Sequence, residues 1–176
     1  MKRSFYLTTT LPYVNAEPHI GFALEIVQAD TIVRYRRLRG DEVFFNTGTD
    51  EHGLKIFRKA KELGKEPQEY VDEFAAKFRL LKDKLDLYKE IHFIRTTDEH
   101  HKIAAQELWK RCAKSGDIYK KKYKGLYCVG DEAFIKEADL VAGKCPNHPG
   151  MDPIEIEEEN YFFRLSGYQE KILAHL

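Results

Sequence analysis

Three short groups of polar residues in this 176-residue chain have the types and spacing that chemistry needs. The first is His19 and Gly21, which follow an apolar stretch and begin a long helical pattern. A histidine at the start of a helix can donate to a phosphate, and a glycine lets a nucleotide approach the backbone closely. Two interpretations are open from these residues alone: a phosphate-binding turn, or an ordinary turn glycine beside a helix-start histidine.

The second group is the run Gly-Thr-Asp-Glu-His-Gly at residues 48–53. Two adjacent carboxylates and a histidine between glycines are costly in a plain turn unless they bind something. Asp50 is suited to hold a substrate ammonium, because a charge-assisted hydrogen bond is roughly twice as strong as a neutral one. The alternative interpretation is a solvated turn that caps the next helix.

The third group consists of two pairs with metal-ligand spacing. Cys128 and Asp131 form a C-x2-D pair, and Cys145 and His148 form a C-x2-H pair. Four such groups on two tight turns can close a tetrahedral zinc site, although aspartate is a harder and weaker zinc ligand than a thiolate. A structural zinc site and a metal-free knuckle held by aromatic packing both remain open. Four protein ligands leave no position for a substrate.

The elements that position the first two groups follow from the hydrophobic pattern. Residues 5–9 and 42–47 predict two buried strands, and Gly40 ends a helix between them. Strand, helix and strand form a βαβ unit, so we expect a parallel sheet of the α/β class with both groups at its carboxyl edge. The apolar face of this amphipathic helix is predicted from residues recurring at spacings of three and four: Ile20, Leu24, Val27, Thr31, Tyr35 and Leu38.

The rest of the chain divides into helical and β-rich parts. Helices are predicted from Leu54 to Leu63, from Pro67 with an apolar face that reaches Leu85, and from a Thr97 cap to about Lys114, with a short strand at residues 93–94. After Ile118 helical periodicity fades and short aromatic strands follow. We predict a first part at residues 1–116, an insertion at 117–160, and a return toward the first part at 161–176.

Composition sets the broad class. Lys+Arg and Asp+Glu both total 29, so the net charge is zero and gives no global attraction to nucleic acid. One local basic run, residues 120–124, is consistent with a contact to nucleic-acid phosphates or with a solvated strand edge. Three cysteines cannot all pair, so no disulfide scaffold is predicted. No stretch approaches the length of a membrane span, which makes a cytoplasmic protein the expectation.

The segments together carry a family resemblance. Residues 10–22, Thr-Leu-Pro-Tyr-Val-Asn-Ala-Glu-Pro-His-Ile-Gly-Phe, resemble the HIGH signature of class I aminoacyl-tRNA synthetases, in the form found in methionyl-tRNA synthetases. The run 48–53 resembles a hallmark of the same family, as do residues 127–134 of the knuckle and the segment 158–165. This chain has Phe22 in place of the signature's second histidine, and Asp131 in place of a knuckle cysteine.

The resemblance implies a Rossmann-like nucleotide-binding sheet, present as its first half, with a small β-rich connective-peptide insertion that resembles a zinc knuckle. It implies catalytic positions at His19, Gly21 and Phe22. It implies ATP binding by Tyr13, Asn15, His19 and Gly21, and methionine binding by Leu11, Tyr13 and Asp50. Structural Zn²⁺ is implied at Cys128, Asp131, Cys145 and His148.

The implied activity is the formation of methionyl-adenylate from methionine and Mg²⁺-bound ATP, followed by transfer of the methionyl group to tRNA(Met). No membrane partner is implied. The family's KMSKS loop and anticodon-binding domain do not occur in these 176 residues. We therefore expect a remaining C-terminal portion, and an N-terminal piece that is inactive alone.

Three other functions compete with this one. A stand-alone nucleotide- or RNA-binding module derived from a synthetase would not need Leu11, Tyr13 and Asp50 together. A small nucleotidyltransferase of the same superfold would lack both the run 48–53 and the cysteine-bearing insertion. A leucyl- or isoleucyl-type synthetase fits the turn after the second strand less well than a methionine-specific one.

Overall fold

Three parallel strands organise the first part of the chain in the computed structural model, which describes residues 3–176. They are β1 (Ser4–Thr8), β2 (Glu42–Thr49) and β3 (His92–Arg95), in the order β1-β2-β3. Both pairings are parallel, with Tyr6 opposite Phe44 and Gly48 opposite Ile94. The predicted parallel α/β sheet is confirmed, and its carboxyl edge carries the segments that follow Thr8, Thr49 and Arg95.

Helix α1 (Ile20–Leu38) has the predicted bounds, but the predicted buried face is wrong. Ile20 and Leu38 are each 88% exposed. The helix carries apolar residues on two sides, and periodicity alone cannot choose between two apolar stripes. The crossover from β1 to β2 turns the other stripe toward the sheet, so the residues that α1 buries are Phe22, Ile26, Ala29, Asp30 and Val33.

The connection from β2 to β3 contains helices α2 (Leu54–Glu62), α3 (Pro67–Arg79) and α4 (Leu81–Lys84). Pro67 occupies the first turn of α3, as predicted. The apolar pattern predicted to continue to Leu85 is interrupted, because the chain forms a separate short helix after Leu80. Helices α1 and α3 pack on the sheet face that carries Phe45, which is completely buried with Val33 and Tyr70.

The opposite face of the parallel sheet carries a row of stacked rings. Tyr6 stacks on Phe44 with ring centroids 5.5 Å apart, and Phe44 stacks on His92 at 4.2 Å. Tyr6 is 65% exposed and Phe44 45%. The sheet therefore has one covered face and one open face in the described residues.

Two compact units divide between Lys102 and Ile103, near the start of helix α5 (Glu99–Lys114). The division falls earlier than the boundary predicted near residue 116, and the predicted three-part domain organisation remains a prediction. The predicted Thr97 cap of α5 is wrong, because the Thr97 hydroxyl donates to Glu51 instead. The carbonyl of Asp98 accepts the first helical bond, from Lys102 N–H at 3.0 Å.

The second unit contains an antiparallel sheet of strands β4 (Ile118–Cys128), β5 (Ala133–Ile135) and β6 (Ile154–Phe163), in the order β5-β4-β6. Short 3₁₀ turns occupy Glu137–Asp139 and Leu165–Tyr168, and helix α6 spans Gln169–His175. This agrees with the β-rich character predicted after Ile118.

The basic run 120–124 lies in β4, where acidic residues of β6 face it. Lys120 pairs with Glu159 at 3.1 Å, and Lys124 pairs with Glu155 at 3.0 Å. Exposed cross-strand pairs of this kind add little stability, but they neutralise part of the local charge. None of the helices within residues 3–176 combines the length and the apolar character needed to cross a bilayer.

Substituting alanine for Gly48 tests the packing of β2 against β3. A Cβ at this position would lie 1.8 Å from the carbonyl oxygen of Ile94, so the strands would have to shift. We expect Gly48→Ala to lower the free energy of unfolding by about 1–3 kcal/mol, measured by urea denaturation. Gly167→Ala is the matched control, because nothing lies within 4 Å of that Cβ. Equal stability of the two variants would contradict the proposed close contact.

Candidate ligand-binding edge and candidate metal centre

The two segments predicted to bind ligands are hydrogen-bonded to each other. Asp50 N–H donates to the carbonyl of Pro12 at 3.0 Å, and Val14 N–H donates to the carbonyl of Asp50 at 3.4 Å. These bonds form an isolated parallel bridge between Tyr13 and Asp50. The segment after β1 and the turn after β2 therefore meet at the carboxyl edge of the sheet, where open α/β sheets bind their ligands.

The predicted ligand residues on the first segment are reachable from solvent. Tyr13 and Asn15 are exposed and Leu11 is half-buried, while Val14 between them is completely buried. Val14 therefore anchors the segment in the core, and its neighbours keep surface exposed to solvent. Asp50 is half-buried on the adjoining turn.

His19 is the N-cap of α1. Its Nδ1 accepts a hydrogen bond from Gly21 N–H at 3.1 Å, and the imidazole is exposed. An Nδ1 that accepts leaves the proton of a neutral imidazole on Nε2, which makes Nε2 the donor. Gly21 lies close under the ring, because a Cβ there would come within 3.1 Å of His19 Nδ1. The helix start thus combines a side-chain donor with the positive end of the helix dipole.

Phe22, the third residue assigned to catalysis, lies in the core. It is 6% exposed, and its ring packs edge-on against Phe78 of α3 with centroids 5.4 Å apart. A buried phenyl ring offers no hydrogen-bond donor. The structure therefore gives Phe22 a packing role, and its catalytic assignment remains an untested prediction.

A buried ion pair holds the turn 48–53 in place. The Glu51 side chain is fully buried, and Arg95 of β3 donates to both of its oxygens, from Nε at 2.7 Å and from Nη2 at 2.9 Å. Arg95 Nη2 also donates to Asp72 of α3 at 2.6 Å. The bond to Glu51 raises the pKa of the Arg95 guanidinium, and the bond from Arg95 lowers the pKa of the Asp72 carboxyl.

Hydroxyl groups complete the set of bonds around the turn. Thr49, which is completely buried, donates to Glu51 Oε1 at 2.6 Å, and Thr97 donates to Glu51 Oε2. Thr96 accepts from Glu51 N–H at 2.8 Å and lies 3.4 Å from Asp50 Oδ1. His52 Nε2 lies 3.2 Å from the carbonyl of Thr96. Glu51 and His52 thus support the turn through these bonds.

The sequence interpretation missed Arg95 and Thr96. A usable signal was present, because both residues directly follow the predicted strand at 93–94. The carboxyl ends of adjacent parallel strands meet at one edge, so polar residues after β3 had to lie near the turn after β2. What the sequence could not show is that Arg95 would pair with Glu51 rather than with solvent.

The four predicted metal ligands converge in the second unit. One ligand atom from each of Cys128, Asp131, Cys145 and His148 lies within 4.8 Å of the others. His148 Nδ1 is 3.1 Å from Asp131 Oδ1 and 3.7 Å from Cys128 Sγ. Ligands around tetrahedral zinc stand about 3.3–3.8 Å apart, given bonds of about 2.0–2.3 Å. Two thiols, an imidazole and a carboxylate at these separations fit a zinc ion.

Gly130 and the local charges favour this arrangement. A Cβ at Gly130 would lie 2.3 Å from Cγ of His148, so only glycine lets the imidazole approach. Cys145 Sγ donates to Asp131 Oδ2 at 2.8 Å. That bond lowers the pKa of the Asp131 carboxyl and, with burial, raises the pKa of the Cys145 thiol. A metal ion that takes both groups as ligands must therefore displace the shared proton.

Comparison with known proteins gives a consistent match. The family model for class I tRNA synthetases (M) matches residues 5–152. The methionine–tRNA ligase of Thermotoga maritima is 47% identical over 97% of this chain, and that of Rhizobium meliloti is 45% identical over 97%. The matched region is 28% of the first protein and 34% of the second, so this chain spans about a third of their length.

Solved structures agree in fold. The methionyl-tRNA synthetase of Mycobacterium tuberculosis in complex with methionyl-adenylate superposes with a TM-score of 0.89 at 39% identity, covering 98% of this chain and 34% of that one. A LeuRS of Agrobacterium radiobacter, in a ternary complex with tRNA and LeuAMS, superposes with a TM-score of 0.77 at 20% identity. The match covers 98% of this chain and 22% of that one. The second likeness concerns the fold alone.

Removing the Arg95 side of the ion pair tests how the turn is held. Arg95→Met leaves the buried Glu51 carboxylate without its charged partner, and we expect the free energy of unfolding to fall by about 3 kcal/mol at pH 7. The pKa of Asp72 should rise toward its ordinary value in the same variant, measured by carbon-13 NMR titration. In the unchanged chain the ionised Asp72 carboxylate contributes to the free energy of unfolding at neutral pH. This contribution is lost as the pH falls through the lowered pKa of Asp72.

The control for this substitution is Arg111→Met, which breaks an exposed pair with Glu107 on α5. We expect its effect to stay below about 0.5 kcal/mol. Equal losses in the two variants, or an unchanged Asp72 titration in Arg95→Met, would contradict the role of the buried pair.

Proposed function

The chain belongs to the class I tRNA synthetases (M), and on that premise we propose that it forms the methionine- and ATP-binding half-site of a methionine–tRNA ligase. The single observation that carries the proposal is the bridge between Tyr13 and Asp50. It joins the segment that would line the methionine pocket to the carboxylate that would hold the amino group. Two ligand-binding segments that pair in this way can contact one amino acid at the same time.

Methionine binding is proposed for Leu11, Tyr13 and Asp50. The Asp50 carboxylate accepts hydrogen bonds from the substrate ammonium, and the charge on both groups strengthens them. Leu11 and Tyr13 provide apolar surface for the thioether side chain. We propose that the carboxylate of the bound amino acid faces the start of α1, where ATP would bind.

ATP binding is proposed for Tyr13, Asn15, His19 and Gly21. His19 donates from Nε2 to a phosphate oxygen, and Gly21 leaves room for the nucleotide beside the imidazole. Mg²⁺ accompanies ATP and neutralises part of the triphosphate charge. In the reaction a methionine carboxylate oxygen attacks the α-phosphorus, a new P–O bond forms, and the bond to pyrophosphate breaks. The residues act by positioning and by charge stabilisation, which suffice for this chemistry.

The second reaction step, transfer of the methionyl group to tRNA, is proposed for the whole protein. The curated relatives that perform it are about three times as long as this chain. We expect the 176-residue chain alone to show no robust methionine-dependent ATP–pyrophosphate exchange, and rapid exchange by this chain would contradict that expectation.

A zinc ion is proposed for the second unit, with Cys128, Asp131, Cys145 and His148 as its ligands. The support is the convergence of the four donors and the glycine at position 130. A zinc ion with four protein ligands has no open position, so its contribution is to the folding of the two turns. It takes no part in the adenylation step.

Methionine binding tests the first proposal. We expect isothermal titration of the 176-residue chain to detect methionine binding, and Asp50→Asn to weaken it about tenfold or more, because the ammonium loses its ionic partner. Asp83→Asn is the matched control, since Asp83 is an exposed carboxylate on α4. If Asp50→Asn binds methionine as tightly as the control does, Asp50 does not hold the amino group.

Metal analysis tests the second proposal. We expect about one zinc per purified chain, and its loss in Cys145→Ser. Asp131→Cys should bind zinc more tightly than the unchanged chain in a competition with a chelator, because thiolate is the softer ligand. Cys112→Ser, which changes a cysteine outside the group, should keep its zinc. Metal-free protein with an unchanged melting temperature after chelation would contradict the proposed site.

A further inference from the structure

We propose that Thr96, at the carboxyl end of β3, is a positioning residue for the Asp50 carboxylate. The inference rests on the function proposed above, because it concerns the group that would meet the methionine ammonium. Thr96 belongs to neither segment that the family signatures identify. Its role follows from the bonds that its backbone and its hydroxyl make to the turn 48–53.

The Thr96 hydroxyl contacts both the Asp50 carboxylate and the backbone amide that follows Asp50. It accepts a hydrogen bond from the backbone N–H of Glu51 at 2.8 Å, and its oxygen lies 3.4 Å from Asp50 Oδ1, to which it can donate. A hydroxyl has one donor and two acceptor positions, so one group can do both. The first bond fixes the peptide group that follows Asp50, and the second limits rotation of its carboxylate.

The hydroxyl itself is held firmly. Thr96 N–H donates to the carbonyl of Thr49 at 3.2 Å, which extends the β2–β3 pairing by one residue. Arg95 and Thr97, on either side of Thr96, both bind the buried Glu51 carboxylate. The side chains of Arg95 and Thr97 therefore contact Glu51, and the Thr96 side chain contacts Asp50.

Asp50 is held from the opposite side by the segment after β1. Its N–H donates to the carbonyl of Pro12 at 3.0 Å, and its carbonyl accepts from Val14. With Glu51 N–H bound to Thr96, the backbone around Asp50 is fixed from both neighbouring strands. An ionised carboxylate has about four lone-pair positions, so the long Thr96 contact leaves acceptor capacity for an ammonium.

The size of the effect follows from the lengths of the two bonds. The bond to Glu51 N–H at 2.8 Å is of ordinary length, whereas the contact to Asp50 at 3.4 Å is at the weak end. Thr96 therefore acts mainly by fixing the backbone at Asp50, from which the carboxylate side chain extends. Loss of one such orienting bond corresponds to about a fivefold change in an equilibrium constant.

The test compares three substitutions in the 176-residue chain. Thr96→Val keeps the shape of the side chain but removes its hydroxyl, whereas Thr96→Ser retains a hydroxyl. Thr97→Val removes a neighbouring hydroxyl that contacts Glu51 and not Asp50. We expect Thr96→Val to weaken methionine binding about fivefold, with Thr96→Ser and Thr97→Val within about twofold of the unchanged chain. Equal weakening in Thr96→Val and Thr97→Val would overturn the proposal, because it would indicate general damage to the turn.

A second ligand separates positioning from loss of structure. The analogue 4-(methylsulfanyl)butanoate is methionine without its amino group, so it cannot bond to Asp50 through nitrogen. We expect the Thr96→Val penalty to appear for methionine and to vanish for this analogue. An equal penalty for both ligands, or methionine binding by Thr96→Val at the unchanged affinity, would overturn the proposal.

NMR of the free chain keeps the inference independent of the proposed function. If the unchanged chain does not bind methionine, the proposed half-site fails, and side-chain couplings of Asp50 still decide whether Thr96 positions it. Positioning is supported when Asp50 averages between χ1 rotamers in Thr96→Val but not in Thr96→Ser or Thr97→Val. Positioning by Thr96 is overturned when, in Thr96→Val, Asp50 keeps a single rotamer and the Glu51 amide keeps its protection from hydrogen exchange.

Discussion

The buried Glu51 carboxylate is the constraint on which the ligand-binding edge depends. A fully buried charge is tolerated only with a charged partner and further hydrogen bonds, and Glu51 has Arg95, Thr49 and Thr97. Arg95 is the last residue of β3, so the ion pair requires β3 to lie beside β2 in the observed register. The bonds from Arg95 also fix the turn that carries Asp50. The same ion pair therefore determines both the pairing of β2 with β3 and the position of the proposed ammonium-binding group.

How much of this arrangement the sequence predicts depends on how local each signal is. The bounds of α1, the parallel βαβ unit and the convergence of four metal-ligand residues were predictable, because periodicity, glycine at residue 40 and paired C-x2 spacings act over short distances. The buried face of α1 was not, since Ile20 and Leu24 form as regular a stripe as Phe22 and Ile26. Threonine is a preferred residue type for a helix N-cap, but Thr97 bonds to Glu51, which is distant in sequence. In each failure a tertiary partner outweighed a local preference.

The candidate metal centre depends on a different kind of constraint, which is close packing of two turns. Gly130 has no side chain where the His148 ring lies, and Cys128 and Cys145 are both buried. Asp131 is the exposed member of the group, and its bond with Cys145 satisfies both side chains without a metal. The exchange of a cysteine for aspartate thus leaves a set of donors that is internally hydrogen-bonded. Any zinc ion has to compete with that bond and to displace the thiol proton that forms it.

The replacement of the signature's second histidine by Phe22 has a structural explanation in the core beneath α1. Position 22 is on the helix face that packs against Phe78, where a phenyl ring buries nearly all of its surface and an imidazole would need a hydrogen-bond partner. A buried polar ring without such a partner would cost about 1–3 kcal/mol. With Phe22 at this position the packing against α3 is apolar, and the side-chain donor at the start of α1 is His19 Nε2. The phosphate binding proposed above therefore relies on one imidazole and on backbone N–H groups, while residue 22 contributes packing against α3.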